Sequence, residues 1–261
     1  MANPLILSAA LPLPSGRDPA SSPCAACSAR VLSVCNALDD SGLDQLEAIV
    51  ASHKIEPQKT IVAEGEPAEA LFNITEGIVK VYKLLADGRQ QITGFLFPGD
   101  FIGLSSDDSY VYSAEAVTAV GYCRFPRRRL EKLLADFPRM EHRLLGIASN
   151  ELAAAQSQML LLGRKSAREK LASFLLMLSR QAERIGRRAN PVELPMTRHD
   201  IADYLGLTIE TVSRTFTRLR KDRVIALNGA DEVDLLDRTV LHDIAEANWR
   251  RRSDGSVRRS V

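Results

Sequence analysis

Between Thr197 and Lys221 the chain carries two short amphipathic segments separated by one glycine, a pattern that few folds accept. Thr197 begins the first with a carboxylate, Asp200, three residues on, which is the spacing of a helix capping box. Ile201, Ala202 and Leu205 share one face, and Gly206 ends that helix. Thr208 caps a second helix that is expected to run to about Lys221. Helix, glycine turn, helix is the helix-turn-helix unit. In the second helix Val212, Phe216 and Leu219 should face inward, while Glu210, Ser213, Arg214 and Thr217 share the opposite face. A glutamate accepts from the cytosine amine, an arginine grips the guanine edge, and a serine adjusts to either base. Arg218, Arg220 and Lys221 suit phosphate. Alone, Glu210 and Arg214 would also read as an ordinary surface ion pair. The runs Val224–Leu227 and Val233–Leu236, joined through Asn228-Gly229, add a wing and favour a DNA-reading unit.

Charge points the same way. Residues 1–163 hold 14 basic and 19 acidic residues, and residues 164–261 hold 20 basic and 14 acidic, so a total of +1 conceals a basic C-terminal part. Such a half suits a polyanion. The 261-residue length fits about two domains. No run approaches the ~20 apolar residues of a membrane span, and Leu5–Leu13 lacks the basic start of a signal peptide. The expected location is the cytoplasm.

Upstream the pattern is different. Residues 1–23, with five prolines, read as a flexible leader. From about Thr60 to Phe125, short β-rich runs are punctuated by glycine: Ala70–Thr75, Ile78–Leu84, Gln91–Phe97, Phe101–Leu104, Glu115–Val120 and Tyr122–Phe125. Asp87-Gly88 marks a hairpin. The class expected is α+β, with a small antiparallel β-roll over residues 24–137. Beyond Pro138, Leu145, Ala148, Leu152, Ala155, Met159 and Leu162 recur at the a/d spacing of a coiled coil. A long helix over 138–163 with a homodimer seam is expected, rather than a helix lying on its own core. Residues 164–247 would form the DNA-binding part, with a second amphipathic helix over Ala167–Arg184, and 248–261 a basic tail.

Cys24, Cys27 and Cys35 form C-x2-C-x7-C, and Cys123 stands alone on the last strand of the roll. Four sulfurs can ligate an iron–sulfur cluster or zinc, and thiols without metal remain an alternative. Arg30 is the only charged side chain between Asp18 and Asp39, an apolar setting suited to a cluster. The four histidines have no ligand-like spacing. The cysteines alone also permit a redox enzyme or electron carrier. The helix-turn-helix argues against that class, as does the lack of a flavin or dinucleotide glycine motif.

Residues ~30–245 resemble the CRP/FNR superfamily of bacterial transcription regulators, above all Ile201-Ala202-Asp203-Tyr204-Leu205-Gly206-Leu207-Thr208-Ile209-Glu210-Thr211-Val212-Ser213-Arg214. The resemblance implies a cyclic-nucleotide-binding-like β-roll, a dimerisation helix and a winged helix-turn-helix. Glu-x-x-Ser-Arg is similar to the FNR/FixK branch, which implies that Glu210, Ser213 and Arg214 read a TTGAT–N4–ATCAA palindrome and that RNA polymerase is a partner. FNR-type oxygen sensors have three N-terminal cysteines and a fourth near the end of the roll. That implies a 4Fe–4S cluster on Cys24, Cys27, Cys35 and Cys123, which controls dimerisation; the seven-residue gap resembles the alphaproteobacterial branch. No cyclic nucleotide is expected. The stretch from Phe101-Ile102-Gly103-Leu104 to Tyr112-Ser113-Ala114 lacks the family's Glu and Arg and carries Asp107 and Asp108.

Overall fold

A computed structural model describes Cys24, residues 26–105 and residues 107–247. The leader and the basic tail lie outside the described residues. Eight strands build the roll: β1 Ala51–Ile55, β2 Thr60–Val62, β3 Ala70–Glu76, β4 Val79–Leu84, β5 Gln90–Leu96, β6 Phe101–Ile102, β7 Ser113–Ala116 and β8 Val120–Pro126. They form two four-stranded antiparallel sheets, ordered β1-β8-β3-β6 and β2-β7-β4-β5. The turn at Asp87-Gly88 closes β4 onto β5, with Gly88 at φ +84.

Alternation along β3 divides its side chains between two cores. Phe72 and Ile74 point into the roll with Val79, Val81 and Leu96. Leu71 faces outward, against Val34, Leu43, Leu46, Phe101 and Phe125. This outer core is covered by a 3-10 turn at Val34–Ala37 and by helices α1 (Asp40–Glu47) and α2 (Arg127–Asp136). Asp39 caps α1 by accepting from the Gly42 amide. Gly99, at φ +93, is needed where the roll meets the cysteine segment, since a Cβ there would stand 2.5 Å from Leu32 Cβ.

Helix α3 (Pro138–Arg164) is 27 residues long, a rod of about 40 Å at ~1.5 Å per residue. It serves two cores. Met140, Leu144 and Ile147 pack on the outer core of the roll, and Leu161 packs on the C-terminal core. The latter gathers α4 (Ala167–Arg184), α5 (Arg198–Leu205), α6 (Ile209–Lys221), α7 (Arg238–Ala245) and the sheet β10-β11-β9. Those strands are β9 Val192–Glu193, β10 Ile225–Leu227 and β11 Glu232–Leu235.

The roll and the C-terminal part share a seam. Phe95 of β5 stacks obliquely with Tyr204 and Phe174, at ring-centre distances of 5.2 and 6.1 Å. Lys80 of β4 pairs with Asp200 of α5 at 2.9 Å and with Glu115 of β7 at 3.0 Å. The Gln91 amide donates to the Asp203 carbonyl.

Several expectations shift. The strand expected over Glu115–Val120 lies instead at Ser113–Ala116. Val117 and Thr118 form the following turn, where both amides donate to the Ile78 carbonyl. Strands β1, β2 and β9 and helices α1 and α7 were not anticipated from sequence.

Candidate functional site

The helix-turn-helix forms as its local chemistry directs. Thr197 and Asp200 close the capping box on α5, and Gly206 adopts the left-handed conformation that ends it. Thr208 caps α6, accepting from the Thr211 amide. Val212, Phe216 and Leu219 are buried, each contributing on the order of 1.5–3 kcal/mol relative to exposure. This anchors α6 with Glu210, Ser213, Arg214 and Arg218 on its exposed side and Thr217 half-buried beside them. Ser213, Arg214, Thr217 and Arg218 line one shallow groove with Lys221 and Asp222. The Glu210 carboxyl is held below the ordinary range by its own backbone amide, then by Thr208, with Arg214 adding to it. It is thus an acceptor at neutral pH. Among the described ion pairs none joins Glu210 to Arg214. The Arg198 guanidinium lies 3.8 Å over the Phe216 ring and donates to the Ala230 carbonyl, joining α5, α6 and the wing.

The apolar stripe of α3 is mostly uncovered in the single chain. Leu145, Leu152 and Met159 are 63%, 61% and 71% exposed, Ala155 is exposed and Ala148 is half-buried. Leu162 departs from the stripe: it packs against the C-terminal core, close to Gly206. The stripe's free portion therefore ends at Met159. Glu151, beside it, is pushed up to about 7 by burial, with Asp100 contributing.

All four cysteines line one cavity of about 700 Å³ between the cysteine segment and the outer face of β8. Cys24 is pushed up to about 12 and Cys35 to about 11, first by burial and then by neighbouring thiols. Burial also raises Cys123, against a hydrogen bond from Ser52. Without a bound cation such thiols stay protonated, so metal loading would release protons. Cys24 donates its amide to Glu47. In the sheet, Asn73, Cys123 and Ser52 lie side by side across β3, β8 and β1.

Sequence reasoning gave four residues here no role, although it noted Arg30 as the lone charge of its stretch. Arg143 of α3 donates to the Val31 and Leu32 carbonyls, tying the cysteine segment to the long helix. Lys80 joins the roll to α5. Arg30 and Asn73 are buried at the cysteine cavity. Of these only Arg30 carried a sequence signal, as the lone charge in an apolar stretch.

Around Gly103 the roll's polar groups bond to one another. The Gly103 amide donates to the Tyr112 hydroxyl, and Arg127 is engaged by the Ala68 and Gly103 carbonyls. The neighbouring groove carries Glu69, Asp107, Asp108 and Glu131 beside Arg127 and Arg128.

Two family models match: a cyclic nucleotide-binding domain over residues 52–137 and a Crp-like helix-turn-helix domain over residues 169–244. The chain is 41% identical to the transcriptional activatory protein AadR of Rhodopseudomonas palustris, over 81% of this chain and 88% of that protein. It is 37% identical to the transcriptional activator FnrL of Cereibacter sphaeroides, over 82% and 88%. The solved structure of FixK2 from Bradyrhizobium japonicum aligns with a TM-score of 0.70 at 38% identity, covering 75% of this chain and 97% of that one. By these likenesses and its helix-turn-helix, the chain belongs to the CRP/FNR family, whose members are DNA-binding transcription regulators rather than enzymes and act as dimers.

Proposed function

We propose that this chain is a cytoplasmic, oxygen-responsive activator whose α6 helices read a TTGAT–N4–ATCAA palindrome as a homodimer and engage RNA polymerase there. In this reading residues 24–137 sense, 138–163 dimerise and 164–247 bind DNA. Cys24, Cys27, Cys35 and Cys123 would hold a 4Fe–4S centre, which when bound supplies oxygen-labile chemistry. The observation that carries the reading is the meeting of all four cysteines at one cavity. Four thiols on one cavity can supply four-sulfur ligation, the donor set of an iron–sulfur cluster or of zinc. Zinc and a metal-free thiol switch are the competing readings, and the absorption test below separates them from the cluster.

The chain's own residues connect that site to DNA. Cys24, Cys27 and Cys35 fasten the segment that Arg143 grips through the Val31 and Leu32 carbonyls. Movement of that segment is thereby transmitted to α3, whose outer stripe would pair with a second copy. Pairing sets two α6 helices at half-sites roughly 34 Å apart. Tyr112 and Arg127, committed to Gly103, support the expectation that no cyclic nucleotide is used. Anaerobically purified protein should contain iron and acid-labile sulfide in near-equal amounts and absorb broadly in the visible range, bleaching in air. A colourless, zinc-loaded protein would refute the cluster assignment and leave the DNA-binding reading intact.

A further inference from the structure

Two polar side chains of the cysteine cavity lack the partners that burial normally demands. Arg30 is 6% exposed, its Nε has no hydrogen-bond partner, and among the described residues its side chain makes one long hydrogen bond, 3.5 Å to the Leu38 carbonyl. Among the described residues no carboxylate is paired with it. Asn73 is 2% exposed in the middle of β3, directly across the ladder from Cys123, and its Oδ1 has no partner. Both line the cavity with the four cysteines. A buried cation without a counter-charge is costly, and so is a buried amide left unpaired. Natural cores rarely keep either, and two on one cavity call for an occupant.

A four-thiolate iron–sulfur centre is anionic, and its potential is governed by nearby charge and by hydrogen bonds to its sulfurs. We propose that Arg30 is the counter-cation of this centre and that Asn73 donates an N–H to the sulfur of Cys123. The inference rests on the cluster reading above. The Asn73 amide then presents its nitrogen to the cavity, since the two orientations of an amide are told apart by their hydrogen-bond partners. Neither side chain is a ligand; both position and stabilise negative charge on the thiolates.

The test is an anaerobic comparison of wild type, Arg30→Met, Arg30→Lys and Asn73→Leu. In loaded Arg30→Met, the one-electron reduction equilibrium should fall about tenfold, which is ~59 mV. Bleaching in air should also quicken, because removing a positive charge favours the more oxidised centre. Arg30→Lys should recover most of the potential, and Asn73→Leu should shift it in the same direction by a smaller factor. Cluster-free melting separates this from a merely structural role. Without its anion Arg30 is an unpaired buried charge, so cluster-free Arg30→Met should melt no lower than cluster-free wild type. An unchanged potential in a fully loaded Arg30→Met overturns the assignment, as does a cluster-free form that melts markedly lower than wild type. Wild type that binds no iron overturns the cluster reading itself, and this inference with it.

Discussion

The DNA-reading unit and the cysteine site are built on opposite plans. The first lies within 25 consecutive residues, Thr197–Lys221, and each feature that shapes it acts over a few positions: two caps, a left-handed glycine and one buried helix face. The second brings Cys24, Cys27 and Cys35 to a strand nearly a hundred residues away, and it takes packing on the outer core and contacts to α1 and α3 to hold that segment in place. A local unit survives changes elsewhere in the chain. A site assembled across the fold depends on the packing of every part that contributes to it. The long helix α3 joins the two, with Arg143 gripping the cysteine segment at one end and Leu161 entering the C-terminal core at the other.

The sharpest way to break the comparison is at Cys123. Cys123→Ser should abolish retention of the centre while leaving α6 folded, seen as loss of iron and sulfide with unchanged helical circular dichroism. Full occupancy in that variant would sever the partnership between segment and strand. Next in size is Leu152→Glu, which places two like charges in a poorly solvated seam and should cost several kcal/mol, on the order of a buried unpaired charge. Sedimentation should find a loaded monomer that binds no palindrome; a dimeric variant would remove the stripe from the interface.

Arg214→Ala should cost ~1–3 kcal/mol of DNA affinity and relax preference at one position of each half-site. By contrast, Arg218→Ala should weaken all sequences alike and flatten the salt dependence. Uniform losses from both, measured by competition against shuffled sites, would refute the base-reading assignment.

The smallest effect expected is at Glu151. Its carboxyl is raised to about 7, so between the ordinary carboxylate range and that value the folded chain holds a proton that the unfolded chain has released. Stability therefore falls as pH rises from about 4.5 to about 7 and levels off above it, a loss on the order of 1 kcal/mol after allowing for partial solvation. Glu151→Gln should flatten that slope in urea titrations, and an unaltered slope would place the titrating group elsewhere.

Legibility followed the same division. Thr197, Asp200, Gly206 and Thr208 announce their helices because caps and glycine stops are short-range physics. The strands from Ala70 to Phe125 were legible where large apolar residues alternate with turn glycines. Strand β1 was not: Ala51–Ile55 is an edge strand exposed over four of its five positions, and its His53 and Lys54 give no apolar alternation. Strand β7 is rich in small residues, so its frame slipped, and β9 has only two residues. In the site, cysteine spacing pointed to Cys24, Cys27 and Cys35, whereas Asn73 became visible only through its cross-strand register with Cys123. Arg143 looked like any surface cation until its two carbonyl partners were placed.

The central claim is that the state of the cysteine site governs DNA binding through α3. It is tested most directly by gel shift on a TTGAT–N4–ATCAA duplex, using one anaerobic sample before and after brief exposure to air, with absorbance recorded alongside. The account predicts a coloured protein that retards the duplex, then loses colour and retardation together. A protein that binds the duplex equally well before and after bleaching would contradict it.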